Sequence, residues 1–217
     1  MKRLLFLLSS LFLTGCFIGG SDTYYCRAFV MGYRGMDGIY ITQDTNKLYY
    51  DINFSWSGEE WGVYFEKERD CYEALCQKHN DVSYNRRVRV FHTVEPTPRM
   101  CCARDFVELE IWSDTDWDAD HPAGTSLNDL LCFWSTTPLP YIRSGYTEKY
   151  SEKKDGEYYP INKLVSELTP DDMTLLPCNG FFVHFKRLPQ TRGSRRLFVR
   201  LTADDGTVFE ANKKVEY

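Results

Sequence analysis

Leu48-Tyr49-Tyr50-Asp51-Ile52-Asn53-Phe54-Ser55-Trp56 is the stretch whose reading decides the fold. Leu48, Tyr50, Ile52, Phe54 and Trp56 alternate with Tyr49, Asp51, Asn53 and Ser55, the period of two of a β-strand with one dry and one wet face. The expected strand runs from Lys47 to Trp56. Upstream, Tyr24–Tyr33 and Gly38–Thr42 are rich in Tyr, Phe, Val and Ile between glycines and read as two short strands. Downstream, Trp61–Glu66 continues as a strand and Arg69–His79 as a short helix.

The same period recurs further along. Arg86–Thr93 carries Val88, Val90 and His92 on one face, and Glu95-Pro96-Thr97-Pro98 ends it because proline cannot donate to a ladder. Phe106–Trp112 sets Val107, Leu109 and Ile111 opposite Phe106, Glu108, Glu110 and Trp112. Ser126 and Asp129 form a capping box ahead of Leu127, Leu130 and Leu131, so a helical turn or two is expected there. Pro138–Gly156 has no pattern and reads as a long loop. Pro160 suits the first position of a short helix ending near Leu168. Gly180–Leu188, Arg195–Ala203 and Thr207–Tyr217 read as strands, the last two joined by the hairpin signal Asp205-Gly206.

Seven to nine strands against two or three short helices predict a mostly β fold, an antiparallel β-sandwich with immunoglobulin-like character. The Cys-Trp-Cys spacing of antibody domains is absent, and an α+β fold or a barrel is the alternative. No repeat or low-complexity linker divides residues 24–217, which are expected to form a single β-rich domain.

The N-terminus speaks to location. Lys2 and Arg3 precede an apolar run, Leu4–Leu13, broken only by Ser9 and Ser10, and Leu13-Thr14-Gly15-Cys16 closes it. Residues 1–15 read as a secretory signal peptide, too short to span a bilayer of about 30 Å. The ending resembles the bacterial lipoprotein signal, which implies Cys16 as a lipidated mature N-terminus followed by a tether to residue 23. The directly following Phe17-Ile18-Gly19-Gly20-Ser21 has no acidic run. The resemblance to surface-displayed lipoproteins therefore fails there, and the expected location is the cell envelope, at the outer membrane facing the periplasm.

Removal of residues 1–15 takes away two of the 26 basic residues and leaves all 31 acidic ones, so the formal charge moves from -5 to -7. A net negative chain gains nothing from phosphate counterion release, which argues against nucleic acid. The membrane contact is then expected through acyl chains, two or more of which anchor stably. The chain holds 15 Tyr, 14 Phe and 5 Trp. Spread along the whole length, they read as β-core residues, with a stacking platform for sugar rings as the other reading.

Seven further cysteines, Cys26, Cys71, Cys76, Cys101, Cys102, Cys132 and Cys178, are candidates for disulfides in an oxidising compartment, and an odd number leaves at least one unpaired. Adjacent Cys101 and Cys102 are expected to reach different partners. Cys71 and Cys76 can bridge each other only if their segment is not a regular helix, since five residues of helix rise about 7.5 Å.

Asp114, Asp116, Asp118 and Asp120 occupy every second position, so an extended segment would put four carboxylates on one face, a candidate Ca2+ site. The EF-hand pattern fails, with Ala119 and Thr125 where Gly and Glu are required; a solvated acidic loop is the competing expectation. The surrounding run Ser113-Asp114-Thr115-Asp116-Trp117-Asp118-Ala119-Asp120-His121-Pro122-Ala123-Gly124-Thr125-Ser126-Leu127-Asn128-Asp129-Leu130-Leu131 resembles a segment of an uncharacterised family of Bacteroidetes cell-envelope lipoproteins. In that family a strand ends in a Ser-Asx-x-Asp-Phe type sequence, followed by His-Pro-Ala-Gly and a Leu-Asn-Asp helix start; Trp117 stands in place of Phe. The resemblance implies an envelope location and no activity, because the family is a domain of unknown function.

Of the histidines, His92 and His184 fall in strands and read as packing residues, His121 is expected to order the acidic loop, and His79 belongs to no ligand spacing. HExxH, GxSxG, P-loop and GxGxxG motifs are absent, and no catalytic residue is singled out. The functional expectation is a lipid-anchored, non-catalytic binding or accessory module for an envelope protein or glycan, with no resident cofactor. A periplasmic glycan hydrolase using a carboxylate pair is the alternative.

Overall fold

The computed structural model describes residues 21–44, 48–63, 69–91, 99–153 and 156–217. The signal peptide, Cys16, most of the tether, His92 and the break around Pro96 and Pro98 lie outside them. The described chain forms β1 (Ser21–Cys26), β2 (Gly32–Gln43), β3 (Tyr49–Gly62), α1 (Arg69–Lys78), β4 (Arg86–Phe91), β5 (Met100–Cys102), β6 (Phe106–Ser113), β7 (Leu131–Thr137), α2 (Leu139–Arg143), β8 (Tyr159–Leu164), β9 (Gly180–Phe185), β10 (Ser194–Ala203) and β11 (Val208–Glu216). The protein is mostly β, as its alternation dictates, and all pairings but β2 with β5 are antiparallel.

Strands order as β5-β2-β3-β9-β7-β8 in one sheet, β11-β10-β6 in a second, and β1-β4 in a two-stranded ribbon. The large sheet turns Ile41, Ile52, Phe133 and Val183 toward Leu109, Val199 and Leu201 of the small sheet, so both sheets cover one apolar core. This order does not by itself identify an immunoglobulin-like sandwich. A second cluster lies beside it, built from Phe29, Tyr33, Tyr72, Tyr84, Tyr141 and Tyr146. There the Phe29 ring meets Tyr84 and Tyr141 edge-on at 5.4 and 5.0 Å, the favoured aromatic geometry. Asp81, fully buried, accepts the Phe29 and Val30 amides at 2.7 and 2.8 Å and the Tyr146 hydroxyl at 2.9 Å.

Four local expectations are corrected. No helix starts at Ser126: the Asn128 side chain donates to Leu109 O at 2.8 Å and accepts the Ile111 amide at 3.1 Å, stitching the segment to β6 until β7 begins at Leu131. Pro160 opens no helix either. It sits in β8, an edge strand of the large sheet, where a missing donor is harmless, and only a 3-10 turn, Val165–Glu167, follows. The 138–156 segment is not all loop, since α2 buries Leu139, Tyr141 and Ile142. In β6 a bulge opposite Thr202 and Ala203 breaks the alternation, leaving Phe106 buried and Val107 42% exposed.

Candidate functional site

The large sheet buries one face and leaves the other open. Period two makes this automatic: Tyr50 and Ile52 are buried while Tyr49 and Asp51 look out, Phe181 and Val183 are buried while Phe182 and His184 look out, and Phe133 is buried beneath an outward Trp134. Cross-strand register then lines up Thr42, Asp51, Phe182, Trp134 and Asn162 in one transverse row across β2, β3, β9, β7 and β8. Four strand spacings make that row about 19 Å long.

The aromatics on this face are unusually wet: Tyr40 and Trp134 are 50% exposed, Tyr49 43% and Phe182 42%. Trp134 and Phe182 lie 5.5 Å apart, and Tyr49 stacks on His184 at 5.2 Å with 21° between planes. Hydrogen-bonding groups alternate with them. Asp51 accepts the Thr42 hydroxyl at 3.0 Å, and Asn53 donates to Thr42 Oγ1 at 3.1 Å.

Asp51, Phe182 and Trp134 form a ridge between two hollows. One, about 330 Å³, adds Asn53, Thr136, Asn179 and Gly180; the other, about 730 Å³, adds Thr42, Gln43, Tyr49, Asn162 and His184. Gly180 lines the first one. Its φ is +111°, and a Cβ there would come within 2.0 Å of Ile52 O, so only glycine lets β9 lie this close to β3.

His184, expected as a packing residue, therefore belongs to the open face, and the aromatics that looked dispersed in the chain converge on it. The signal was present in Tyr49, a tyrosine at a wet position of the deciding stretch. Trp134 was missed because Leu131–Thr137 carries apolar residues at both parities.

The acidic loop does other work. Residues 114–121 run through successive bends and not an extended strand, so the four carboxylates do not share a face. Asp114 accepts the Arg196 amide at 2.7 Å and Asp116 the Ala123 amide at 2.8 Å. Asp118 takes His121 Nδ1 at 2.6 Å and Arg187 at 2.7 Å, while Asp120 is exposed. Among the described residues no group of three or more His, Cys, Asp or Glu could hold a metal ion. The segment that carries the family resemblance is thus built for folding: Trp117 is fully buried, Asn128 ties it to β6, and His121 clamps it.

His121 sits between two carboxylates, with Nε2 3.1 Å from Asp129 Oδ1. Burial alone would lower its pKa, but the hydrogen bonds to Asp118 and Asp129 outweigh burial and raise it. The His121 hydrogen bond, against the opposing effect of burial, holds Asp118 below the usual carboxylate range. A raised imidazole stabilises fully below its unfolded value of about 6.5 and loses that contribution as pH rises through the folded value. A lowered carboxylate stabilises above about 3.9 and loses it as pH falls through the folded value. The clamp is therefore strongest between about pH 4 and 6.5. The melting-temperature gap between wild type and His121→Gln should narrow as pH rises from about 6 to 8.5; a gap independent of pH would mean the imidazole is not charged in the fold.

Some of the seven cysteines were expected to pair, but all seven candidates are free thiols in the structure. Cys71 and Cys76 both lie in regular α1, which closes the pairing between them. Burial pushes the thiols of Cys76 and Cys102 up to about 12, so neither is a reactive thiolate. His79, just past the end of α1 with its side chain turned inward, has its pKa lowered by burial, with Asp105 3.6 Å away.

Comparison of the chain with protein-family models, curated proteins and solved structures found no match. The open face must speak for itself. An aromatic ring offers sugar C–H groups its negative face, and interleaved Asp, Asn and Thr side chains can exchange hydrogen bonds with hydroxyls. Asp51 is the carboxylate shared by both hollows, with Asp44 in the larger one alone.

Proposed function

We propose that the protein is a lipid-anchored, non-catalytic envelope module that binds glycan on the open face of its large sheet. The observation that carries this reading is the convergence of Trp134, Phe182, Tyr49 and Tyr40, each more than 40% exposed, with polar side chains set between them. An interface for protein would favour a continuous apolar centre depleted of charge; here the Asp51 carboxylate stands beside the central Phe182 of the row. Trp134→Ala should weaken binding of the recognised glycan by about tenfold or more, which is about 1.4 kcal/mol, without moving the melting temperature, because the side chain is half exposed. Equal affinity of the variant in affinity electrophoresis would remove Trp134 from the site. Release of reducing ends from a bound glycan would favour the hydrolase alternative.

The anchor is Cys16, at the periplasmic side of the outer membrane, and the resemblance to Bacteroidetes envelope lipoproteins supports the same placement. Among the described residues no helix is long and apolar enough to cross a membrane. Each buried methylene of an acyl chain contributes about 0.8 kcal/mol. Cys16→Ser should abolish labelling by fed palmitate and move the protein out of the detergent phase. An unlabelled wild type would overturn the anchor.

A further inference from the structure

We infer that the open face takes an internal stretch of a neutral polysaccharide, laid along the strands and across the Phe182–Trp134 ridge; this rests on the glycan reading above. Direction follows from the register. Tyr49 with His184, Asp51 with Phe182, and Asn53 with Gly180 form three successive rows, each two residues apart on β3. The outer rows are separated by about 13 Å along the strand, with one hollow to each side of the central row. A single sugar ring can fill only one hollow. A chain that crosses the ridge meets both and stacks on the aromatics between them.

Both hollows are open clefts on a sheet surface, so neither caps a chain end. Charge sets the class. Asp51 lines both hollows, Asp44 lines the larger, and no lysine or arginine lines either among the described residues. A uronate or sulfated polymer would bring its charges against Asp51 with no lysine or arginine among the described lining residues to offset them, whereas neutral hydroxyls can donate to that carboxylate.

The test uses the full-length protein in detergent micelles, with calorimetry on neutral linear polysaccharides, their uronic counterparts, and oligosaccharides of increasing length. The neutral polymer should bind at least about tenfold tighter than the uronic one at low salt, with the gap closing as salt screens the repulsion. Affinity should climb with oligosaccharide length until both hollows are filled and then level. Borohydride reduction of the polymer's end should change nothing, and Asp51→Asn should narrow the neutral-to-uronic ratio by at least about threefold. Preference for the uronic polymer, loss of binding on end reduction, or a monosaccharide bound as tightly as the polymer would overturn the inference while leaving glycan binding intact. Failure of every glycan to bind would overturn the glycan reading itself, and a protein recovered on this face in its place would assign the surface to a protein interface.

Discussion

Trp117→Ala should lower the stability of the fold by about 3–5 kcal/mol, the range for deleting a buried Trp. The side chain is completely buried and stacks on Phe185 with centroids 4.1 Å apart, while Tyr217 meets it edge-on at 5.3 Å. Above it lies the Arg195 guanidinium, 5.1 Å from the ring, itself buried and donating to Asp116 O and Thr191 O. Removing the indole thus opens a cavity between the acidic loop and β9, and takes away the surface on which a buried cation rests. Against a total stability of roughly 5–15 kcal/mol, that is from about a fifth of the margin to all of it. Urea denaturation should show a lower midpoint with an unchanged slope. A loss below about 1 kcal/mol would mean that the loop repacks and Trp117 is not a keystone of the core.

Asp81→Ala should cost about as much, in the second cluster, by a different route. Its carboxylate receives three donors, the Phe29 and Val30 amides and the Tyr146 hydroxyl, where none can reach bulk water. Each donor left buried without an acceptor costs about 1–3 kcal/mol, which gives about 3–5 kcal/mol once partial relaxation is allowed. Burial nevertheless raises the Asp81 pKa, opposed by those same hydrogen bonds. A carboxylate with a raised folded value favours the fold most at low pH and loses that advantage as pH climbs from about 3.9 through the folded value. The deficit of Asp81→Asn relative to wild type should therefore shrink as pH rises above about 4, measured by denaturant midpoints at several pH values. A deficit that grows with pH would mean that the charged form, and not the neutral one, is favoured in the fold.

What the sequence disclosed and what it concealed follow from one physical distinction. Alternation with a single wet face is visible, so β3, β10 and β11 were legible from residue types alone, as was α1, whose span 69–78 nearly matches the expected 69–79. Strands with apolar residues on both faces are not. In β7, Cys132 and Trp134 point outward and Leu131 and Phe133 inward, and hydrophobicity cannot separate the two sets. Trp134 and Phe182 of the candidate site lie on such strands. The site also depends on register: Thr42, Asp51, Phe182, Trp134 and Asn162 are far apart in the chain and become neighbours only through pairing. Local rules misled where tertiary contacts overrode them. Pro160 fits a helix start and an edge strand equally well, and Ser126 resembles a cap until the Asn128 side chain takes the backbone of β6.

The alternation of β3, β9 and β7 also governs how this surface can change over evolutionary time. Because every outward residue sits back to back with a core residue, insertion or deletion of one amino acid within a strand would exchange the two sets, turning Phe133 out and Trp134 in. Such lengths are effectively frozen. Substitution at an outward position, by contrast, touches half-exposed side chains whose replacement typically shifts stability by no more than about 0.5 kcal/mol. The open face can thus change its chemistry one residue at a time while the scaffold beneath it stays fixed.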